Sequence, residues 1–309
     1  MAKLRSRPLD FLVYAVIRVL GCVVQIMPPD LSLSFVRALA DLAHRFNRRH
    51  REVAKDNIRQ AFPGRYGEEE LRDFVRDVYR HFAMMMLETA LLPRKFTRGT
   101  YGRYVDLSET EPLRKAIASD RPVLNVTAHY GNWELSSYVY GLVFGPANVV
   151  GRPLDNPYLD DWIRRFREST GHTMLSKKGD LGRMRAILAD GAAVCTLGDQ
   201  DAGDRGVFVD FFGRPASTHK VMAFLAMKTN AIICVSAFQN QGLLLRYVWR
   251  VADMIDPEEY ENHPDAALAI TQRITTGLER IIRGDPRQYF WLHRRWKSQP
   301  TTDQAAKAA

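Results

Sequence analysis

The sequence predicts an α/β protein: a mainly parallel central sheet flanked by helices, preceded by an N-terminal membrane-associated helical region. Three observations carry this expectation. From residue 105 onward, short apolar runs alternate with amphipathic stretches, the pattern of a parallel sheet covered on both faces. Residues 31 to 97 contain no such alternation; their apolar residues recur at three-and-four spacing, as on helices. Ahead of them, an apolar run from Phe11 to Met27 follows a basic start.

The elements follow in order. The first thirty residues read "MAKLRSRPLDFLVYAVIRVLGCVVQIMPPD". A cleaved signal peptide is disfavoured by Arg18 in mid-run and by the lack of a small-x-small cleavage site. "VLGC" matches a lipoprotein box only loosely. The run has 17 residues, including Arg18 and Gln25, whereas a spanning helix needs about 20. Those two polar residues lie seven apart and share a helical face. Residues 1–28 are therefore expected to form a membrane-embedded or interfacial helix; a core helix of a soluble protein is the other reading. Residues 1 to 60 hold 11 Lys+Arg against 5 Asp+Glu, which places +6 of the net +9 in the first fifth of the chain. That excess suggests an anionic partner: membrane lipid headgroups, nucleic acid or an acidic protein. No helix-turn-helix, zinc or RNA-binding signature is present, so nucleic acid is not expected.

Residues 29–100 are expected to form a helical subdomain. "LSLSFVRALADLAHRFNRRHREVAKDNIRQAF" (31–62) and "GEEELRDFVRDVYRHFAMMMLETALL" (67–92) are separated by Pro63-Gly64, and the second opens on acids as the helix dipole favours. Residues 101–300 are expected to form the α/β domain. Its strand candidates are 122–128, 147–151, 191–199, 231–238 and 243–251; its helix candidates are 132–144, 156–170, 180–190, 217–229 and 265–283. The polar end "TTDQAAKAA" (301–309) reads as a disordered tail. Three scattered cysteines, Cys22, Cys195 and Cys234, offer neither a disulfide framework nor zinc spacing.

One stretch raises a question of chemistry. "HYGNWE" (129–134) joins the apolar strand candidate "RPVLNVTA" to the short apolar helix "LSSYVYGLVF". On one continuous helix His129 and Glu134 face away from each other. They meet only if the helix starts between them, with Gly131 making a sharp turn and Asn132 as N-cap. Glu134 then occupies the first helical turn, where the dipole keeps a carboxylate ionised. A carboxylate beside an imidazole fixes its tautomer and stabilises the imidazolium, which suits a base that deprotonates a hydroxyl. The plainer reading is a half-buried histidine at a strand end with Glu134 on the surface. Further segments, "GRPLDNPYLDDWIRRFRESTG" (151–171), "LGDQDAGDRGVFVDFFGRPASTHK" (197–220) and "YFWLHRRWK" (289–297), place acids and bases at successive strand ends. In a parallel sheet these converge on one edge, where ligands bind.

Taken together and in this order, "HYGNWE" (129–134), "RPLDNPYLDDW" (152–162), "GDQDAGDRGVFVDFFGRPAST" (198–218) and "QYFWLHRRWK" (288–297) resemble the bacterial lipid A biosynthesis acyltransferases, within the wider glycerolipid acyltransferase superfamily. The resemblance spans nearly the whole chain. It implies an O-acyltransferase on the cytoplasmic face of the bacterial inner membrane, with anionic membrane lipid as partner. His129 would be the general base and Glu134 its partner. Substrate-binding work would fall to Arg167, which holds an acceptor phosphate or the developing oxyanion, and to Arg152, Asp199, Asp201 and Asn132. The D-x-D pair Asp199 and Asp201 would position the acceptor or brace the base, and His293 and Arg294 would close the site. The donor would be an acyl-carrier-protein or coenzyme A thioester. A thioester is already activated, so neither metal nor cofactor is expected. The chain has no G-x-S-x-G and no cysteine near His129 in sequence, which favours direct transfer over a covalent intermediate. Related readings change the acceptor to a phosphatidylinositol mannoside, a lysophospholipid or an aminolipid. A non-enzymatic reading is a basic membrane-binding protein.

Overall fold

The computed structural model describes residues 6–176 and 179–300. The expected tail at 301–309 and the first five residues lie outside the described residues. Ten α-helices are described: α1 (Arg7–Ile26), α2 (Pro29–Phe46), α3 (Arg48–Ala61), α4 (Glu68–Lys95), α5 (Glu111–Ile117), α6 (Trp133–Val143), α7 (Pro157–Glu168), α8 (Leu181–Ala189), α9 (Val221–Thr229) and α10 (Ala266–Gly284). The strands are β1 (Val105–Asp106), β2 (Val123–Thr127), β3 (Asn148–Gly151), β4 (Thr173–Ser176), β5 (Val194–Leu197), β6 (Val207–Phe211), β7 (Arg214–Thr218), β8 (Ile232–Asn240) and β9 (Tyr247–Ile255).

Seven strands form the central sheet in the order β1-β9-β8-β2-β5-β3-β4. Every neighbouring pair is parallel except β8 and β9. The α/β class with a mainly parallel sheet flanked by helices is what the alternation predicts. On β2, Leu124 and Val126 enter one apolar cluster with α3, α4 and α10, while Val123 enters another with α5 and α6. The sheet is thus buried on both faces, which explains why its strands read as continuous apolar runs.

Several elements depart from expectation. The expected helix 217–229 starts at Val221, because residues 214–218 are β7, paired antiparallel with β6. The expected strand 243–251 is displaced to Tyr247–Ile255, because a turn with Gly242 and Leu245 at positive φ precedes it. β1, two residues long, is too short to stand out in sequence, and β4, Thr-Met-Leu-Ser, carries only two apolar residues. The segment 31–62 is two helices, with Asn47 capping the second by accepting the His50 backbone N–H at 3.4 Å.

The N-terminal apolar run forms α1, which by length and composition is apolar enough to cross a membrane. Its Leu12, Val16, Val19, Val23 and Ile26 are exposed. The polar face expected from Arg18 and Gln25 turns toward the protein: Gln25 donates to the Ala90 carbonyl of α4 at 2.7 Å, and the Arg18 guanidinium lies 5.3 Å over the Trp162 ring of α7. Asn156, the N-cap of α7, donates to the Asp10 carbonyl at 2.8 Å.

Candidate active site

β2 and β5 are parallel neighbours with Thr127 opposite Leu197. Two residues past each lie His129 and Asp199, and with side-chain period two both point to the same side. The register therefore delivers an imidazole and a carboxylate to one place at the carboxyl edge of the sheet. Asp199 Oδ1 lies 2.8 Å from His129 Nδ1, and Asp199 Oδ2 accepts the His129 backbone N–H at 3.0 Å. Burial opposes the Asp199 charge, but His129 outweighs it through charge and hydrogen bonds and holds the carboxyl below its ordinary range. An ionised carboxylate only accepts, so Nδ1 carries a proton. In the neutral ring Nε2 then carries the lone pair; Gln200 Nε2 is 3.4 Å from it. The ring is flanked by Trp133 and Phe290, with centroids 5.2 and 6.2 Å away, and its side chain is 18% exposed.

The turn after His129 is built as its residues require. Gly131 has φ of 57°, and a Cβ there would sit 1.6 Å from the Phe238 carbonyl oxygen; only glycine fits. Its N–H donates to the Gln288 carbonyl at 3.0 Å, and the Phe290 N–H donates to the His129 carbonyl at 2.9 Å. Asn132 caps α6 as expected, its Oδ1 accepting the Leu135 N–H at 2.9 Å. The helix starts between His129 and Glu134, and Glu134 lies in its first turn.

The carboxylate hydrogen-bonded to the imidazole is nonetheless that of Asp199, which corrects the expected His129–Glu134 pair. Glu134 faces Arg167 instead. Arg167 Nε donates to Oε2 at 2.9 Å and Nη2 to Oε1 at 2.6 Å, and Trp133 Nε1 donates to Oε1 at 3.2 Å. The pair is largely buried. Burial works against the Arg167 charge, but the bidentate Glu134 contact overrides it and raises the pKa. Gly151 leaves room beside this guanidinium: a Cβ there would lie 3.4 Å from Nη1.

Other expected substrate contacts are placed differently. Asn132 is fully buried and its amide is held by Leu135 N–H and Glu88, so it shapes the turn from inside the protein. Asp199 is likewise occupied with His129, as the bracing alternative has it. Asp201 ties down the C-terminal segment: Ser298 Oγ is 3.1 Å from its Oδ2, and its backbone N–H donates to His293 Nε2 at 3.1 Å. Arg152 is exposed and paired with Asp155 at 3.2 Å.

Of the two residues expected to close the site, His293 is against Asp201, while Arg294 is exposed. The inward cation is Arg295, which the sequence reading passed over. It is buried, donates from Nη1 to the Ser217 carbonyl at 2.6 Å and from Nη2 to Thr218 Oγ1 at 2.5 Å, and lies 5.1 Å over the Phe211 ring. The signal was available: Trp291, His293 and Arg295 fall at every second residue. Cys195 and Cys234 have thiols pushed up to about 12 by burial, which leaves them unreactive as nucleophiles.

Comparison with known proteins identifies the family. A family model described as bacterial lipid A biosynthesis acyltransferase matches residues 2–298. The chain is 29% identical over 306 residues to the lipid A biosynthesis lauroyltransferase of Escherichia coli K12, covering 95% of this chain and 94% of that one. It is 27% identical over 270 residues to the palmitoleoyltransferase of the same organism, covering 84% and 82%. It is 24% identical over 241 residues to a phosphatidylinositol mannoside acyltransferase of Mycolicibacterium smegmatis, covering 76% of each chain. The protein is an acyltransferase and belongs to the bacterial lipid A biosynthesis acyltransferase family.

Proposed function

We propose that the protein transfers a fatty acyl chain from an acyl thioester to a hydroxyl of a lipid A precursor, with His129 as general base. The single observation that carries this is the Asp199–His129 pair, which leaves Nε2 as acceptor. In the reaction Nε2 takes the proton of the acceptor hydroxyl and the oxygen attacks the thioester carbonyl. The tetrahedral intermediate collapses, the C–S bond breaks, and the departing thiolate receives the proton back from the imidazolium. Asp199 stabilises the imidazolium in between. Arg167, fixed by Glu134, supplies positive charge for the oxyanion or for an acceptor phosphate. Glu134 thus acts on the reaction through Arg167 rather than on the base. The donor is an acyl-carrier-protein or coenzyme A thioester, both anionic and complementary to a chain of net charge +9.

The surface supports work at an anionic bilayer on the cytoplasmic face of the inner membrane. The exposed stripe of α1 is joined by exposed Leu31, Leu39, Leu42 and Phe46 on α2. Exposed Arg45, Arg48 and Arg49 follow at the end of that stripe, where headgroup phosphates meet an embedded apolar face. The second reading, a phosphatidylinositol mannoside as acceptor, rests on relatives of that name among the matches.

The test is lipid mass spectrometry of cells with and without the gene, with purified wild type and His129→Ala compared in vitro. Loss of one acyl chain from lipid A in the deletion, and of transfer in the variant, is expected. Unaltered lipid A, or full activity in His129→Ala, overturns the reading.

A further inference from the structure

Two buried polar side chains of α4 find no place in the mechanism above, yet both reach the turn that carries it. His81 Nε2 lies 3.0 Å from the Gly131 carbonyl oxygen, which can only accept, so Nε2 is the protonated nitrogen. Glu88, with no exposed surface, takes three donors: the Leu245 N–H at 2.7 Å, Asn132 Nδ2 at 3.2 Å, and the Tyr247 hydroxyl. The two residues are seven apart on the helix and share one face. They hold two consecutive residues, Gly131 and Asn132, while the 288–290 stretch takes the Gly131 N–H and the His129 carbonyl.

We infer that α4 is a clamp on the catalytic turn, with His81 and Glu88 as positioning residues that act through Gly131 and Asn132. The inference rests on the acyl-transfer reading for its kinetic consequence. Packing alone does not account for Glu88, since burying a carboxyl costs several kcal/mol that an apolar residue avoids. What the carboxylate contributes is the orientation of the Asn132 amide. With Nδ2 on Glu88, Oδ1 must face the Leu135 N–H and cap α6. Rotated by half a turn, the amide would set donor against donor and release the first turn of the helix. That turn carries Glu134 and hence the aim of Arg167. His81 holds the preceding carbonyl and so limits the swing of His129.

Glu88→Gln keeps the shape but places an amide N–H against either Asn132 Nδ2 or the Leu245 N–H. We expect kcat to fall about 10- to 100-fold, with the KM for the thioester within about twofold. Combined with Asn132→Ala, it should add nothing beyond the single Asn132→Ala loss. His81→Gln, whose amide can donate to Gly131, should retain far more activity than His81→Leu. A readout free of the activity is hydrogen exchange at the Leu135 amide, expected to quicken at least about tenfold in Glu88→Gln as the cap loosens. Exchange that responds in a protein with no transferase activity would leave the clamp standing and reject the acyl-transfer reading. Unchanged Leu135 exchange, full kcat in Glu88→Gln, or additive losses in the double variant overturns the clamp.

Discussion

Replacing Asp199 by Asn tests the centre of the mechanism, and the geometry sets its size. Asp199 accepts two hydrogen bonds from one residue, from His129 Nδ1 at 2.8 Å and from the His129 backbone N–H at 3.0 Å. An asparagine has one acceptor atom. If its oxygen serves Nδ1, its NH2 confronts the backbone N–H in a buried site, at about 1–3 kcal/mol. Switching the ring proton to Nε2 avoids that cost, because Nδ1 then accepts from the amide. The tautomer so favoured has no lone pair at Nε2 for a hydroxyl proton. Loss of the charged partner removes about a further 1.5–3 kcal/mol of imidazolium stabilisation. The sum, about 2.5–6 kcal/mol, corresponds to a fall in kcat of about 10²- to 10⁴-fold. The assay is thiol release from an acyl thioester in the presence of acceptor, with the His129 tautomer read by 15N chemical shifts. Turnover near the wild-type rate, with Nε2 protonated, would refute the role given to Asp199.

Two further outcomes are expected. Gly131→Ala forces a Cβ to within 1.6 Å of the Phe238 carbonyl oxygen at a φ of 57°, in a strand that cannot retreat. A destabilisation of about 3–5 kcal/mol, seen as a lowered melting temperature, should accompany loss of activity. Glu88 has its pKa raised from 4.5 to about 7 by burial, so the folded state holds its proton over a pH range where the unfolded chain has lost it. Its contribution to stability therefore declines as pH rises from 4.5 to about 7, by about 3 kcal/mol in total. Tyr247, the titratable group hydrogen-bonded to it, has its pKa pushed well above the ordinary value and does not ionise in that window. The difference in unfolding free energy between Glu88→Gln and wild type should drift in the variant's favour by that amount between pH 4.5 and 7.5; a flat difference contradicts the assignment.

Much of the site was legible because its local chemistry is intrinsic to its residues. Gly131 and Asn132 announce a turn and a helix start, and the structure has both. Which acid meets the imidazole was not legible, because it depends on β5 lying beside β2 with Leu197 opposite Thr127. Sequence separation favoured Glu134, five residues away, over Asp199, seventy residues away. The hairpin of β6 and β7 escaped for a different reason. Its two turn residues, Phe212 and Gly213, both have positive φ, as a tight antiparallel turn demands. Asn or Asp is usual at the first position, and a phenylalanine there hides the signal. Phe212 tolerates the strain because its ring packs into the main core, 5.3 Å from Phe62 and 5.7 Å from Trp291. The inward turn of Arg295, likewise, depends on the carbonyl of Ser217 from that hairpin.

The segment spanning His129 to Asn132 is fastened by partners from α4, by Asp199 just after β5 and by the 288–290 stretch. None of these is a neighbour in sequence. Until all three are in place, the imidazole has no defined direction, so a half-folded chain holds no aimed base. Reactivity at His129 is thus a property of the tertiary structure and not of any local stretch, and a chain that has not closed around that turn stays inert.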